Sequence, residues 1–145
     1  VGSQLAVHAV VAVVSTALAL AVGWLVFDID LPGHVTGFLA TFVLATAGLF
    51  TVGLSIGAVA RTASAGEGMG MAVYFPLLFF AGVYFPIQVM PDTLRTISEL
   101  TPSGAAVQAL AATWAGSSPS FSNLAVMAAY AVVFGLASVF WFRWE

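Results

Sequence analysis

Residues 5–27 read LAVHAVVAVVSTALALAVGWLVF, and only His8, Ser15 and Thr16 break the apolar run from Leu5 to Phe27. At 1.5 Å per residue such a stretch crosses the roughly 30 Å hydrocarbon core of a bilayer. It carries no charge and no polar stripe, unlike a helix that lies on a soluble core. It is longer than the apolar core of a cleaved leader and lacks a basic front end, so it reads as a retained membrane span.

Three further segments are of this kind. Thr36–Ala60 holds no charge, Met69–Val89 contains Pro76 and Pro86, and Leu124–Phe142 closes the chain. Composition agrees, since 61% of the 145 residues are hydrophobic and only 6% are charged, with a mean hydropathy of +1.09. A soluble domain carries about 25% charged residues. Three basic and six acidic side chains cannot cover a water-facing surface of this size, so lipid is the expected outer solvent. The expected fold is an all-α membrane protein, residues 1–145 forming a single transmembrane domain. About four transmembrane helices are expected, with two short outer-interface helices between the third and fourth.

The same composition excludes several classes of function. Cysteine is absent, so neither disulfides nor thiolate metal sites can form. Lysine is also absent, the basic residues being Arg61, Arg95 and Arg143, and a P-loop needs its lysine at the nucleotide phosphates. The chain is therefore expected to bind no cofactor, with any ATP handled by a partner. A net charge of −3 offers no basic face for nucleic acid. Polar groups at membrane depth are confined to scattered Ser, Thr and His8, which argues against an intramembrane enzyme and against a proton relay.

The links between spans differ in character. Asp28-Ile-Asp30-Leu-Pro-Gly33 is a short acidic turn and Arg61-Thr-Ala-Ser-Ala-Gly-Glu67-Gly a small polar loop. With four crossings Arg61 and Arg143 share one side, which the positive-inside rule assigns to the cytoplasm. The C-terminus then faces the cytoplasm, and Asp28, Asp30, Asp92, Arg95 and Glu99 lie outside. In the long segment Pro91–Asn123, Asp92 is a plausible N-cap, and Arg95 and Glu99 stand four residues apart. Thr101 and Pro102 suit the cap and first position of a second helix. Val107, Leu110 and Trp114 give that helix an apolar stripe, and Gly116 ends it. Trp141 and Trp144 suit the opposite interface.

Several residues invite a functional reading beside a plainer one. Arg61 and Glu67 are candidate contacts for a cytoplasmic partner, although a carboxylate such as Glu67 is also favoured near a helix N-terminus. Gly53 and Gly57 match the small-residue spacing that lets membrane helices approach closely, as do Gly66 and Gly70. Pro76, Pro86, Pro91 and Pro102 are candidate kink or gate positions. Tyr74, Phe75, Phe79 and Tyr84 around them either line a path for an apolar or amphipathic cargo or face lipid.

Three stretches taken in order carry a family pattern. They are Pro76-Leu-Leu-Phe-Phe-Ala-Gly-Val-Tyr-Phe-Pro86, Met90-Pro91-Asp92-Thr-Leu94-Arg-Thr-Ile97, and Leu100-Thr-Pro102 through Val107-Gln-Ala-Leu110. The set resembles the C-terminal half of a type 2 ABC exporter permease, most strongly from Gly70 to Glu145. The ending Phe142-Arg143-Trp144-Glu145 resembles the actinobacterial drug-export branch. Thr101 departs from the asparagine usual in that family. Because the family has six spans, the resemblance implies that this chain is the C-terminal part of such a permease. It also implies residence in a bacterial plasma (inner) membrane and a dimer with a second permease copy, like or unlike. Two ATP-binding cassette subunits and export of a hydrophobic drug, lipid or glycolipid are implied as well. The competing reading is a non-transporting polytopic membrane protein that serves as an assembly or immunity partner.

Overall fold

A computed structural model describes residues 2–141, which form six α-helices and one short 3₁₀ turn. The helices are α1 (Gly2–Phe27), α2 (Val35–Val59), α3 (Ala63–Phe80), α4 (Asp92–Glu99), α5 (Pro102–Trp114) and α6 (Phe121–Trp141). The 3₁₀ turn is Ile87–Val89. Arg143 and Trp144, used above for orientation and the membrane interface, lie outside the described residues.

Among the described residues three helical stretches are long and apolar enough to cross a membrane: Ala6–Phe27, Val35–Val59 and Phe121–Trp141. The chain is thus an all-helical, multi-pass membrane protein. The expected third span, Met69–Val89, is revised. Its helix begins earlier, at Ala63, and stops at Phe80. The expected polar loop therefore ends at Thr62, whose hydroxyl accepts from the Ala65 N–H at 3.1 Å and caps α3. Glu67 lies within the helix rather than in a loop. At the far end Gly82 takes a left-handed φ of +82°, which glycine adopts without steric cost and which turns the chain out of the helix.

The core is built by α2, α5 and α6. Helices α2 and α6 run parallel, as Gly48 meets the Met127 carbonyl and the Thr51 hydroxyl lies 3.4 Å from the Tyr130 carbonyl oxygen. Helix α5 runs antiparallel beside the first half of α2. Its end is tied there by His34 N–H to the Thr113 carbonyl at 3.0 Å and Gly33 N–H to the Trp114 carbonyl at 3.3 Å. Ala45, Ala105, Ala106, Ala109 and Met127 form the buried cluster. The apolar stripe of α5 is not its buried face. Val107 and Trp114 are each 38% exposed, whereas Ser103, Gly104, Ala105, Ala106, Ala109 and Thr113 are buried. Small side chains let helix backbones close up where no water is available to drive large ones inward.

The caps complete the picture. Thr101 caps α5 by accepting from the Gly104 N–H at 3.2 Å, with Pro102 in the first turn. Asp92 does not cap α4; Pro91 holds that position without a side-chain bond, and Asp92 is the first helical residue. The Arg95–Glu99 pair forms at 3.7 Å on the exposed face of α4, where such a pair is worth little. His34 caps α2, its Nδ1 accepting from the Gly37 N–H at 2.9 Å.

Candidate functional site

An elongated cleft of about 580 Å³ runs between α2, α3 and α5. Its walls are almost wholly apolar. Phe42 and Leu49 come from α2, Tyr74 and Leu78 from α3, and Val107 and Leu110 from α5. Thr46 and Ser103 are the hydroxyl-bearing aliphatic side chains on its lining, yet both are engaged, Thr46 with the Phe42 carbonyl at 2.7 Å and Ser103 with the Leu77 carbonyl at 2.8 Å. The cleft therefore offers packing and little hydrogen bonding, which suits an apolar guest in the volume range of small-molecule sites.

The floor of this cleft is the unfinished end of α3, and the chain finishes it from elsewhere. The last carbonyls of a helix lack intrahelical donors, and in lipid no water supplies them. Here Leu77 receives Ala81 N–H at 2.9 Å, Leu78 receives Val83 N–H at 3.3 Å and Phe79 receives Gly82 N–H at 3.1 Å. The Phe80 carbonyl accepts the hydroxyl of Ser98, from α4, at 2.7 Å. Ser103 adds its bond to Leu77 from α5. Ser98 is fully buried. A Cβ on Gly104 would collide with the Ser98 carbonyl and hydroxyl, so α4 and α5 meet there backbone to backbone.

The amino-acid sequence that builds these helices matches a known family. The model of the ABC-2 type transporter family matches residues 1–115. The chain belongs to that family. No curated protein and no solved structure matches it. This ABC-2 protein is accordingly a permease component of an ABC transporter, a transport subunit whose family implies an ATP-binding cassette subunit as partner. The matched residues take in α1 to α5, with α6 beyond them.

Of the four aromatic residues singled out in the sequence, the structure brings Tyr74 into the cleft. Phe75 and Tyr84 are more than half exposed. Phe79 stacks edge-on with Phe80 and Phe85, at centroid distances of 5.3 and 6.1 Å. Pro76 lies inside α3, Pro86 and Pro91 precede the 3₁₀ turn and α4, and Pro102 opens α5. Gly53 borders the cleft, and a Cβ at Gly53 or Gly57 would meet nothing within 4 Å. Arg61 and Glu67 are exposed near the α2–α3 link. Among the described residues no three His, Asp or Glu side chains gather as metal ligands.

Sequence reasoning missed Gly48 and Gly104, the glycines that the packing uses. It also missed Thr41 Oγ1 and Gln108 Nε2, buried without a hydrogen-bond partner among the described residues. Each such group costs about 1–3 kcal/mol. Gln108 stands beside the exposed Val107 on a helix otherwise rich in alanine, and a lone amide in such a helix was the signal available.

Proposed function

We propose that this permease exports a hydrophobic or amphipathic cargo across the bacterial plasma membrane, driven by ATP hydrolysis in a partner subunit. The observation that carries the reading is the apolar cleft between α2, α3 and α5, in which Thr46 and Ser103 already spend their hydroxyls on backbone carbonyls. The cargo path comprises Tyr74 within the cleft and the aromatic group of Phe75, Phe79 and Tyr84 at the end of α3. Two permease copies, like or unlike, rock apart and together as the ATPase closes and opens. Drug, lipid and glycolipid cargoes all satisfy the chemistry of the cleft.

The proposed topology has four crossings with a cytoplasmic C-terminus, α3 being the third. Its 18 residues rise about 27 Å, close to the bilayer core. Helices α4 and α5 dip inward from the outer face as a gate flanked by Pro86, Pro91 and Pro102. The burial of α5 beside the first half of α2 supports this placement. Arg61 and Glu67 then face the cytoplasmic partner, and the open faces of Gly53 and Gly57 are available to a second copy. The chain is proposed to be the C-terminal part of a six-span permease of the drug-export branch.

The test is efflux of an apolar dye from cells that express the complete complex. Val107→Trp, which fills the cleft, and Tyr74→Ala are expected to slow efflux while the protein still reaches the membrane and binds its ATPase. Normal efflux in both variants would overturn the assignment of the path. Failure to co-purify with any ATP-binding cassette subunit would favour a non-transporting role.

A further inference from the structure

A second cleft, of about 430 Å³, opens where α1 meets the Asp28–Gly33 turn. Three helices each contribute an aromatic ring to it: Trp24 from α1, Phe38 from α2 and Trp114 from α5. Phe38 and Trp114 are in edge contact, with centroids 6.1 Å apart and planes at 72°. Trp24 remains 54% exposed and Trp114 38%, so much of each indole surface is still available to a guest. The turn places Asp30 on the same lining. No Arg or His among the described residues forms a salt bridge with that carboxylate, and no basic side chain lines the cleft.

Aromatic faces carry negative quadrupole potential and attract cations, an attraction that grows when water is excluded. A carboxylate adds a full negative charge. An anion would meet the same field with the wrong sign. The rest of the wall joins aliphatic Ala19, Leu20, Ile29 and Leu31 to the neutral hydroxyls of Ser15 and Thr16, too few ligands to repay the hydration that a bare inorganic ion would lose. We infer that the Trp24–Phe38–Trp114 cage closed by Asp30 binds an organic cation, an ammonium or phosphonium centre on an apolar body. This cleft shares no lining residue with the one between α2, α3 and α5, and cation binding there does not require export.

Equilibrium dialysis of the purified full chain in maltoside micelles tests it with two probes of the same shape and opposite charge, tetraphenylphosphonium and tetraphenylborate. The phosphonium is expected to bind and the borate to bind at least about tenfold more weakly. Asp30→Asn should weaken phosphonium binding about tenfold, while Asp28→Asn, outside the lining, should leave it unchanged. Equal binding of the two probes, or full binding by Asp30→Asn, overturns the proposal. Repeating the dialysis in phosphocholine micelles identifies the source of the cation. Displacement of the phosphonium supports a lipid headgroup as the resident cation, and undiminished binding supports a free small molecule.

Discussion

Helices α1 and α5 make opposite use of apolar sequence. Helix α1 has 26 residues, and the membrane-crossing window within Ala6–Phe27 has none of its residues buried by the rest of the chain. Helix α5 has 13 residues, rich in Ala, Ser, Gly and Thr, and seven of them are buried. In water the oilier helix would be the core. In lipid large aliphatic side chains gain nothing by leaving the solvent, and association falls to close backbone contact and to hydrogen bonds. Valine and leucine thus mark where this protein meets membrane, and alanine, serine and glycine mark where it meets itself.

The strongest way to break this contrast is Gly104→Ala. The new methyl collides with the Ser98 backbone, and a loss of about 3 kcal/mol, the upper end for overpacking, is expected in the thermal midpoint measured in detergent. A midpoint equal to that of the parent would mean α4 and α5 are not held at that distance. Ser98→Ala comes next. It leaves the Phe80 carbonyl unpaired at a buried site, for a loss of about 1–3 kcal/mol. Ser103→Ala is the paired control, because the Leu77 carbonyl keeps its bond from Ala81, and a smaller shift is expected by the same assay.

His34→Ala removes the cap of α2 and should cost about 1 kcal/mol, with His34→Asn restoring most of it. Amide hydrogen exchange at Gly37 and Phe38 would report the loss directly. The smallest effect belongs to α1. Leu18→Ala, on a side chain 61% exposed, should change stability by less than about 0.5 kcal/mol. A large shift there would show α1 to be packed against a partner in the purified protein, and the comparison would need a second chain to be complete.

Hydropathy alone located three long helices to within a few residues, because a run without charges leaves little choice of solvent. Thr101, Pro102 and Gly116 were equally plain, since each is the residue type its backbone position demands. The end of α3 was not legible. Pro76 and Pro86 drew attention to a bend, whereas the helix stops at Phe80, between them. Its start was hidden as well, because Gly66-Glu67-Gly68 resembles a loop and only Thr62 betrays the cap. The α5 stripe of Val107, Leu110 and Trp114 did not reveal that helix's buried face, which small residues build. Two glycines with the small-residue spacing, Gly53 and Gly57, stand open in this chain, while Gly48 and Gly104, which carry no spacing motif, make the contacts.

The last turn of α3 depends on residues that the ribosome adds 18 and 26 positions downstream of the carbonyls they serve, Ser98 after Phe80 and Ser103 after Leu77. During insertion that turn waits, its Phe80 carbonyl unpaired until Ser98 has left the exit tunnel and its second bond to Leu77 unmade until Ser103 has followed. The nascent chain thus has a built-in order of events, in which the end of α3 is complete only once the hairpin that follows it has been made.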